Sequence, residues 1–277
     1  MRSVKQSFDL KDKVVIITGG AGKLGEQHAE VIAEFGGIPI LLDINKKTGQ
    51  KKATKISKKY DMDCQFFECD ITDESQLKNI NDSIIHKYNQ VDILINNAAM
   101  DSKIEKNEKA DFSNIENFSV DRWNMELNVA LTGSILCCKI FGNTMVKNNK
   151  GIILNIASDL SVIAPDQRIY YEKNPSDKEQ FVKPISYSII KHGLIGMTKY
   201  LSTYWAKNNI RVNAISPGGV YDDNLSENFV RNISSLIPLG RMANLNEYKA
   251  AVIFLCSEAS SYITGTNLII DGGRSVW

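Results

Sequence analysis

The sequence predicts an α/β fold, a doubly wound parallel sheet of about seven strands flanked by helices and folded as a single domain over residues 1–277. Three observations predict it. Short apolar runs alternate along the chain with longer amphipathic stretches. The runs are continuously apolar, which marks strands buried on both faces of a parallel sheet. No fixed-period repeat or low-complexity linker divides the chain. Strands that alternate with helices wind into right-handed βαβ units.

KVVIITGG reads as the first strand, followed by a helix over residues 24–35. IPILLDIN is the second strand, and a lysine-rich helix follows it. CQFFECDITD is the third, with a helix near 74–88; VDILINNAA is the fourth, with a helix near 121–146. GIILNIAS is the fifth, with a long helix near 186–207; IRVNAISPGG is the sixth. A helix near 246–256 leads to the last strand, TNLIIDGG. Residues 100–120 and 164–185 read as irregular, and 218–235 as a lid; long loops in a compact domain are usually functional.

The net charge of +1 gives no electrostatic case for nucleic acid or an anionic membrane as partner. The lysines at 46, 47, 51, 52, 55, 58 and 59 suit a solvated helix face. Cys64, Cys69, Cys137, Cys138 and Cys256 form no C-x-x-C and have no histidine at ligand spacing, so no metal site and no disulfide framework is expected. A reducing, cytoplasmic location fits. MRSVKQSFDLKDK lacks the apolar core of a signal peptide, and no uninterrupted apolar run approaches the roughly 18 residues of a membrane span.

The stretch VVIITGGAGKLGEQHAE carries the first chemistry. A dinucleotide turn needs small residues so that the chain can turn sharply, approach a diphosphate and pack a helix closely on the sheet. The helix start then offers free N–H groups and a positive dipole end to the phosphates. Gly19, Gly22 and Gly25 satisfy this in the order TGxxGxxG, directly after a strand, and make the sheet Rossmann-type. Lys23 and Leu24 stand inside the turn. Asp43 ends the second strand and is placed to accept hydrogen bonds from ribose hydroxyls, which favours NAD(H); Lys23, Lys46 and Lys47 leave NADP(H) open.

SYSIIKHG places Tyr187 and Lys191 four residues apart, on one helix face. A phenol of ordinary pKa about 10 is a poor acid–base group at neutral pH. A nearby ammonium favours the phenolate, so Tyr187 can pass a proton to or from an alcohol oxygen.

With TGGAGKLG, CDITD, NNAA, LNVALTG, NIAS, YSIIK, RVNAISPGG and YITGTNLIIDGG in this order, the sequence resembles the short-chain dehydrogenase/reductase family from about residue 10 onward. The resemblance implies a catalytic tetrad of Asn128, Ser158, Tyr187 and Lys191. Ser158 would hold the substrate oxygen, and Tyr187 would be general acid or base. Lys191 would bind the nicotinamide ribose and tune Tyr187, and Asn128 would hold a helix irregularity and a water. Asp70 and Ile71 would flank the adenine. Asn97, Ala98 and Ala99, with Pro217, Gly218 and Val220, would line the cofactor. Members are usually homodimers or homotetramers, joined through the helices before the fifth and sixth strands. Trp277 would then cap a neighbouring subunit's site.

Most of the chain is similar to the classical branch, but the turn is similar to the extended, sugar-nucleotide branch. ITGGAGxLG and NIAS…APDQRIYYE also resemble members from bacterial surface-sugar loci, including flagellin-modification dehydrogenases. Three departures stand out. Ser158 precedes Tyr187 by 29 residues, more than is usual, so 164–185 is an insertion that shapes the substrate pocket. It brings the rival tyrosines Tyr170 and Tyr171, neither with a lysine four residues on. Asp222 stands near the place where the family often has a nicotinamide-contacting threonine. NNAAM replaces the commoner N-N-A-G.

Asp159, Ser161, Asp166, Gln167, Arg168, Tyr170 and Tyr171 make the expected pocket polar. A sugar, sugar phosphate or nucleotide sugar suits it better than a fatty-acyl chain, with Asp159, Arg168 and Tyr171 as substrate contacts and Arg168 on a phosphate. The expected function is hydride transfer between a nicotinamide and a secondary alcohol or ketone in surface-glycan precursor synthesis. Two alternatives remain: a 3-oxoacyl-carrier-protein reductase, and a non-catalytic cofactor-binding sensor.

Overall fold

Branched apolar runs with no polar alternation can be buried only from both sides, and the computed structural model shows how. It describes residues 3–100, 113–171 and 181–277. Among these, seven parallel strands form one sheet in the order β3-β2-β1-β4-β5-β6-β7. The strands are β1 Val14–Thr18, β2 Ile38–Asp43, β3 Gln65–Glu68, β4 Ile93–Asn96, β5 Gly151–Ile156, β6 Ile210–Pro217 and β7 Asn267–Ile270. The helices are α1 Val4–Ser7, α2 Lys23–Glu34, α3 Lys46–Tyr60, α4 Glu74–Tyr88, α5 Val120–Leu127, α6 Gly133–Lys147, α7 Ile185–Tyr204, α8 Glu227–Ser235 and α9 Lys249–Cys256.

The two-residue period of a strand divides the core in two. Val15, Ile17, Leu41 and Ile95 face α2, α3 and α9, where Ile32, Ile56 and Val252 cover them. Ile16, Ile40 and Leu94 face the other way, against Leu77 of α4, Phe141 of α6 and Trp205 after α7. β1 lies between β2 and β4, with Ile16 opposite both Ile40 and Leu94. Strand order reverses there, and the crevice at the carboxyl ends of such strands is where α/β sheets bind ligands.

The expected helix 121–146 is two helices, α5 and α6, joined by a π-helical turn over Asn128–Thr132. Val120–Lys147 has the length and apolarity to cross a membrane, yet its Cys137, Phe141 and Met145 are buried in the core. The last helix begins at Lys249 rather than 246; its N-cap Tyr248 is buried, with its hydroxyl donating to the Gly218 carbonyl at 2.9 Å. Four lysines of α3 form ion pairs: Lys46 with Glu68, Lys52 and Lys55 with Glu26, and Lys59 with Glu30; of these only Lys52 is largely covered. All five cysteines are buried free thiols, and burial pushes Cys64, Cys69, Cys138 and Cys256 up to about 12. Trp277 is exposed, its indole N–H donating to the Leu236 carbonyl at 3.1 Å.

Parts of two expected irregular segments, 101–112 and 172–180, lie outside the described residues. The described part of 164–185 forms a 3-10 turn, Gln167–Tyr170. Its Ile169 joins Ile233, Ile237 and Met242 in a third apolar cluster, and the Tyr170 ring stacks on Phe229 of α8 at 5.4 Å. The expected insertion and lid thus pack on each other.

His28 of α2 is buried behind the glycine turn, and neither ring nitrogen has a hydrogen-bond partner among the described residues. Burial pushes its imidazole down to about 4, weakly opposed by the neighbouring Asn97 side chain. Folded His28 therefore stays neutral where the unfolded chain binds a proton. The stability this costs is lost as pH falls from about 6.5 to about 4, by about 3 kcal/mol at most. His28→Leu is expected to flatten the pH dependence of the urea midpoint across that window; an unchanged slope would assign the loss to other groups.

Candidate active site

The glycine turn is built by close backbone approach. Gly19 has φ +64°, and a Cβ there would lie 2.8 Å from the Ala98 Cα. A Cβ on Gly25 would collide with the Gly19 carbonyl oxygen. Gly22 is instead the N-cap of α2 in extended conformation, with no side-chain cap, so the helix start keeps donors for a ligand. NNAA clamps the turn. The N–H groups of Asn97 and Ala98 both donate to the Thr18 hydroxyl at 3.0 Å, and the Asn97 amide donates to the Thr18 carbonyl at 2.9 Å. Thr18 is a contributor that the sequence reading did not single out.

Asp43 stands at the end of β2 beside this turn, accepting from Ala21 N at 3.0 Å and from Asn45 N at 2.9 Å. Lys46 is drawn off to Glu68 at 3.0 Å. Lys23 forms an ion pair with Asp222. Lys23 of the glycine turn and Asp222, which stands where the family often has a threonine, therefore meet across the crevice. A dinucleotide fits these residues: bare backbone at Gly19 and Gly25, an uncapped helix start, and a carboxylate at the end of β2.

A cavity of about 410 Å³ opens at the carboxyl edge of the sheet. Ser158, Tyr187 and Lys191 line it together. Lys23, Leu24, Asn97 and Ala99 border it on the turn side, with Pro217 at the end of β6 and Gly218 and Val220 beyond it. Asp70 and Ile71 lie outside this lining. Asp70 is folded onto Thr72, whose N–H and hydroxyl it accepts at 2.9 and 2.7 Å. Ile71 is buried beside Gly133 of α6.

Lys191 is buried and donates to the Ile156 carbonyl, the last of β5, at 2.9 Å. Its Nζ lies 5.6 Å from the Tyr187 ring centroid. Lys183 Nζ lies 3.9 Å from the same centroid, so two cations approach the phenol. Lys183 falls in the insertion and was not distinguishable there from a surface lysine. At the start of α7 the buried Ser186 donates to Glu126 of α5, and Arg122 pairs with Glu126 at 3.0 Å. Asn128 opens the π-helical turn two residues later.

Ser158 is buried and donates to Asp159 Oδ1 at 2.9 Å. Asp159 lines the cavity as expected, but its Oδ2 accepts from Arg274 Nη1 at 2.8 Å. Arg274, in the turn after β7, was missed because nothing in DGGRSVW links it to Asp159. Two expected substrate contacts lie away from the cavity, and of the seven residues expected to make it polar only Asp159 and Tyr170 line it. Arg168 is exposed and forks onto Asp166, at 2.9 and 2.7 Å, because a carboxylate two residues away captures it before it can reach the cavity. Tyr171 is exposed and outside the lining, since the 3-10 turn ends before it; Tyr170 lines the cavity instead, committed to aromatic packing. Among the described residues no cluster suits a metal ion.

A nucleotide-binding crevice beside a tyrosine, lysine and serine in one cavity defines an oxidoreductase site, and the comparisons give its class. Residues 13–172 match the family described as short chain dehydrogenase, and 176–275 the one described as enoyl-(acyl carrier protein) reductase. The chain belongs to the short-chain dehydrogenase/reductase family and is an oxidoreductase acting on CH–OH groups with NAD(P). It is 33% identical over 275 residues to an NAD-dependent glycerol dehydrogenase of Listeria innocua, covering 98% of this chain and 97% of the relative. It is 29% identical over 278 residues to a D-threitol dehydrogenase of Mycolicibacterium smegmatis, covering 99% and 97%. A short chain dehydrogenase from Leptospira borgpetersenii, solved with bound NAD+, superimposes with a TM-score of 0.83 at 33% identity, covering 99% and 96%.

Asp222 adds an anion to a crevice that takes an anionic cofactor. Asp222→Asn is expected to tighten NADH binding at low ionic strength by up to about fivefold, the scale of one partly exposed ion pair. The gain should vanish near 0.5 M salt, roughly, where screening is nearly complete. A titration of nicotinamide fluorescence at both salt levels checks this.

Proposed function

We propose that the chain oxidises a secondary hydroxyl of a polyol or similar sugar-like alcohol with NAD+. The observation that carries the reading is the single cavity that holds Ser158, Tyr187 and Lys191 between the glycine turn and a wall of Tyr170, Leu225, Phe229 and Met242, with Asp159 beside the serine. The polyol names of the glycerol and threitol relatives support the substrate class. NAD(H) is favoured, since Asp43 stands at the end of β2 and Lys23 and Lys46 are both held by carboxylates.

When bound, the nicotinamide supplies the acceptor for the alcohol's hydride. Gly19, Gly22, Gly25 and the start of α2 would hold its diphosphate, and Asn97 to Ala99 with Pro217, Gly218 and Val220 would flank it. Ser158 fixes the substrate oxygen. Tyr187 takes the hydroxyl proton as general base. Lys191, anchored on the Ile156 carbonyl, keeps a positive charge beside the phenolate that this requires. Asn128, in its π-helical turn, holds a water that relays the proton outward. The described insertion and lid, joined through Tyr170 and Phe229, form the substrate wall.

A narrower reading places the substrate among sugar phosphates or nucleotide sugars of flagellin-type surface-glycan synthesis; the turn TGGAGKLG supports it. Reduction of a 3-oxoacyl thioester is distinguished by an NADPH preference. The partner is a second copy of the chain, on the face where Ile135 of α6 and Tyr200 and Tyr204 of α7 are exposed. A monomer by solution mass measurement overturns that assignment.

NADH is expected to bind more tightly than NADPH. Among glycerol, D-threitol, xylitol, a hexose phosphate and a nucleotide sugar, NAD+ reduction should be fastest with a free polyol. Tyr187→Phe should lower turnover by about 100-fold or more while keeping NADH binding. Turnover that survives the change, or none in the wild type, overturns the enzymatic assignment.

A further inference from the structure

We propose that Arg274 is a positioning residue that acts through Asp159 on the hydroxyl of Ser158; the proposal rests on the role given to Ser158 above. The three groups form one buried chain. Arg274 Nη1 donates to Asp159 Oδ2 at 2.8 Å, and Ser158 Oγ donates to Asp159 Oδ1 at 2.9 Å. The Arg274 and Asp159 side chains are only 6% and 4% exposed, so water screens the pair little. Leu160 N donates to both the Ser158 oxygen, at 3.2 Å, and Asp159 Oδ1, at 2.9 Å.

Ser158 has one proton to donate. In this arrangement the proton points at a carboxylate. To hold the oxygen of an alcohol passing to a ketone, the same proton must turn into the cavity. The Leu160 N–H keeps the serine oxygen in place during that turn. What decides the turn is how strongly Asp159 grips the proton, and a buried carboxylate without a counter-charge grips hardest. Arg274 draws that charge to the far oxygen and loosens the grip.

Arg274 is itself held by local geometry. Gly272 and Gly273 take φ +66° and +90° and turn the chain after β7. Asp271 then accepts from Gly273 N at 2.9 Å and from Ser275 N at 2.8 Å, fixing the turn on both sides of Arg274.

The test is a set of variants assayed with NAD+ and D-threitol, or with the panel alcohol that the wild type turns over fastest. Arg274→Met is expected to lower kcat by about 100-fold, the scale of losing one donor at a reacting oxygen, with KM changed far less. Arg274→Lys should recover part of this, and added guanidinium should partly rescue Arg274→Ala. In a Ser158→Ala background, Arg274→Met should have little further effect, because the hydroxyl through which it acts is gone. Asp159→Asn combined with Arg274→Met should regain much of the lost rate. An equal loss in the Ser158→Ala background, or an unchanged kcat, overturns the proposal. Thermal melts of the Arg274→Met, Asp159→Asn and double variants need no substrate: the arginine change should lower Tm and the added asparagine restore it. Absence of that coupling also overturns the proposal, whereas a wild type that turns over no alcohol but shows the coupling counts against the proposed function alone.

Discussion

The position of α7 over the sheet is fixed by a buried hydrogen-bond chain, and the site depends on it. Asn96 of β4 donates to the Asn155 side chain of β5 at 2.8 Å. Asn155 donates to the Thr198 hydroxyl of α7 at 2.8 Å, and Thr198 donates to the Leu194 carbonyl at 2.7 Å. Each bond contributes only about 1 kcal/mol net, but a donor left unmade at such depth costs about 1–3 kcal/mol. The chain therefore penalises any slide of α7 along the sheet. Lys191 then reaches the Ile156 carbonyl, and Tyr187 lies one helical turn earlier, in the cavity that Ser158 lines two residues beyond β5. Two strands and a helix set these distances, and such elements hold a site more tightly than loops do.

The sheet, the glycine turn and the Tyr187–Lys191 pair were legible in the sequence because each rests on a local pattern, whereas Ser158 and Asn128 entered only through the family resemblance. Runs such as VVIIT can be buried only in a two-sided sheet. A tyrosine and a lysine four apart share a helix face whatever surrounds them. What was not legible depends on contacts between distant segments. Arg274 reaches Asp159 across 115 positions, and only the left-handed turn at Gly272 and Gly273 aims it there. Arg168 read as a pocket cation from its neighbours in the sequence, yet Asp166 captures it at the surface. The π-helical turn at Asn128 has no periodicity of its own, so α5 and α6 read as one helix; only the family resemblance pointed to an irregularity there.

Lys23 and Asp222 show how two residues far apart in the chain can act as a single electrostatic feature. A lysine at the start of α2 adds a cation where a diphosphate would lie. A carboxylate in the loop after β6 adds an anion to the same crevice. Either alone would shift the field at the cofactor, but as an ion pair they nearly cancel. Their pairing also joins the first βα turn to the segment after β6, two parts of the chain that no strand pairing connects.

The same pairing of charges bears on the substrate. A phosphate-bearing ligand gains most from a cation whose charge is not already met within the protein. Around this cavity Lys23 is met by Asp222, Arg274 by Asp159, and Arg168 is held outside by Asp166. Separating any of these pairs to seat an anion would leave a carboxylate unpaired, and for the buried Asp159 that cost is large. A neutral polyhydroxylated ligand asks for no such exchange, because its hydroxyls can both donate and accept beside intact pairs. The lining also carries Leu225, Phe229, Ile233 and Met242 beside Lys183 and Lys191, so a neutral ligand with both hydroxyls and carbon faces would fit it without parting Lys23 from Asp222 or Arg274 from Asp159.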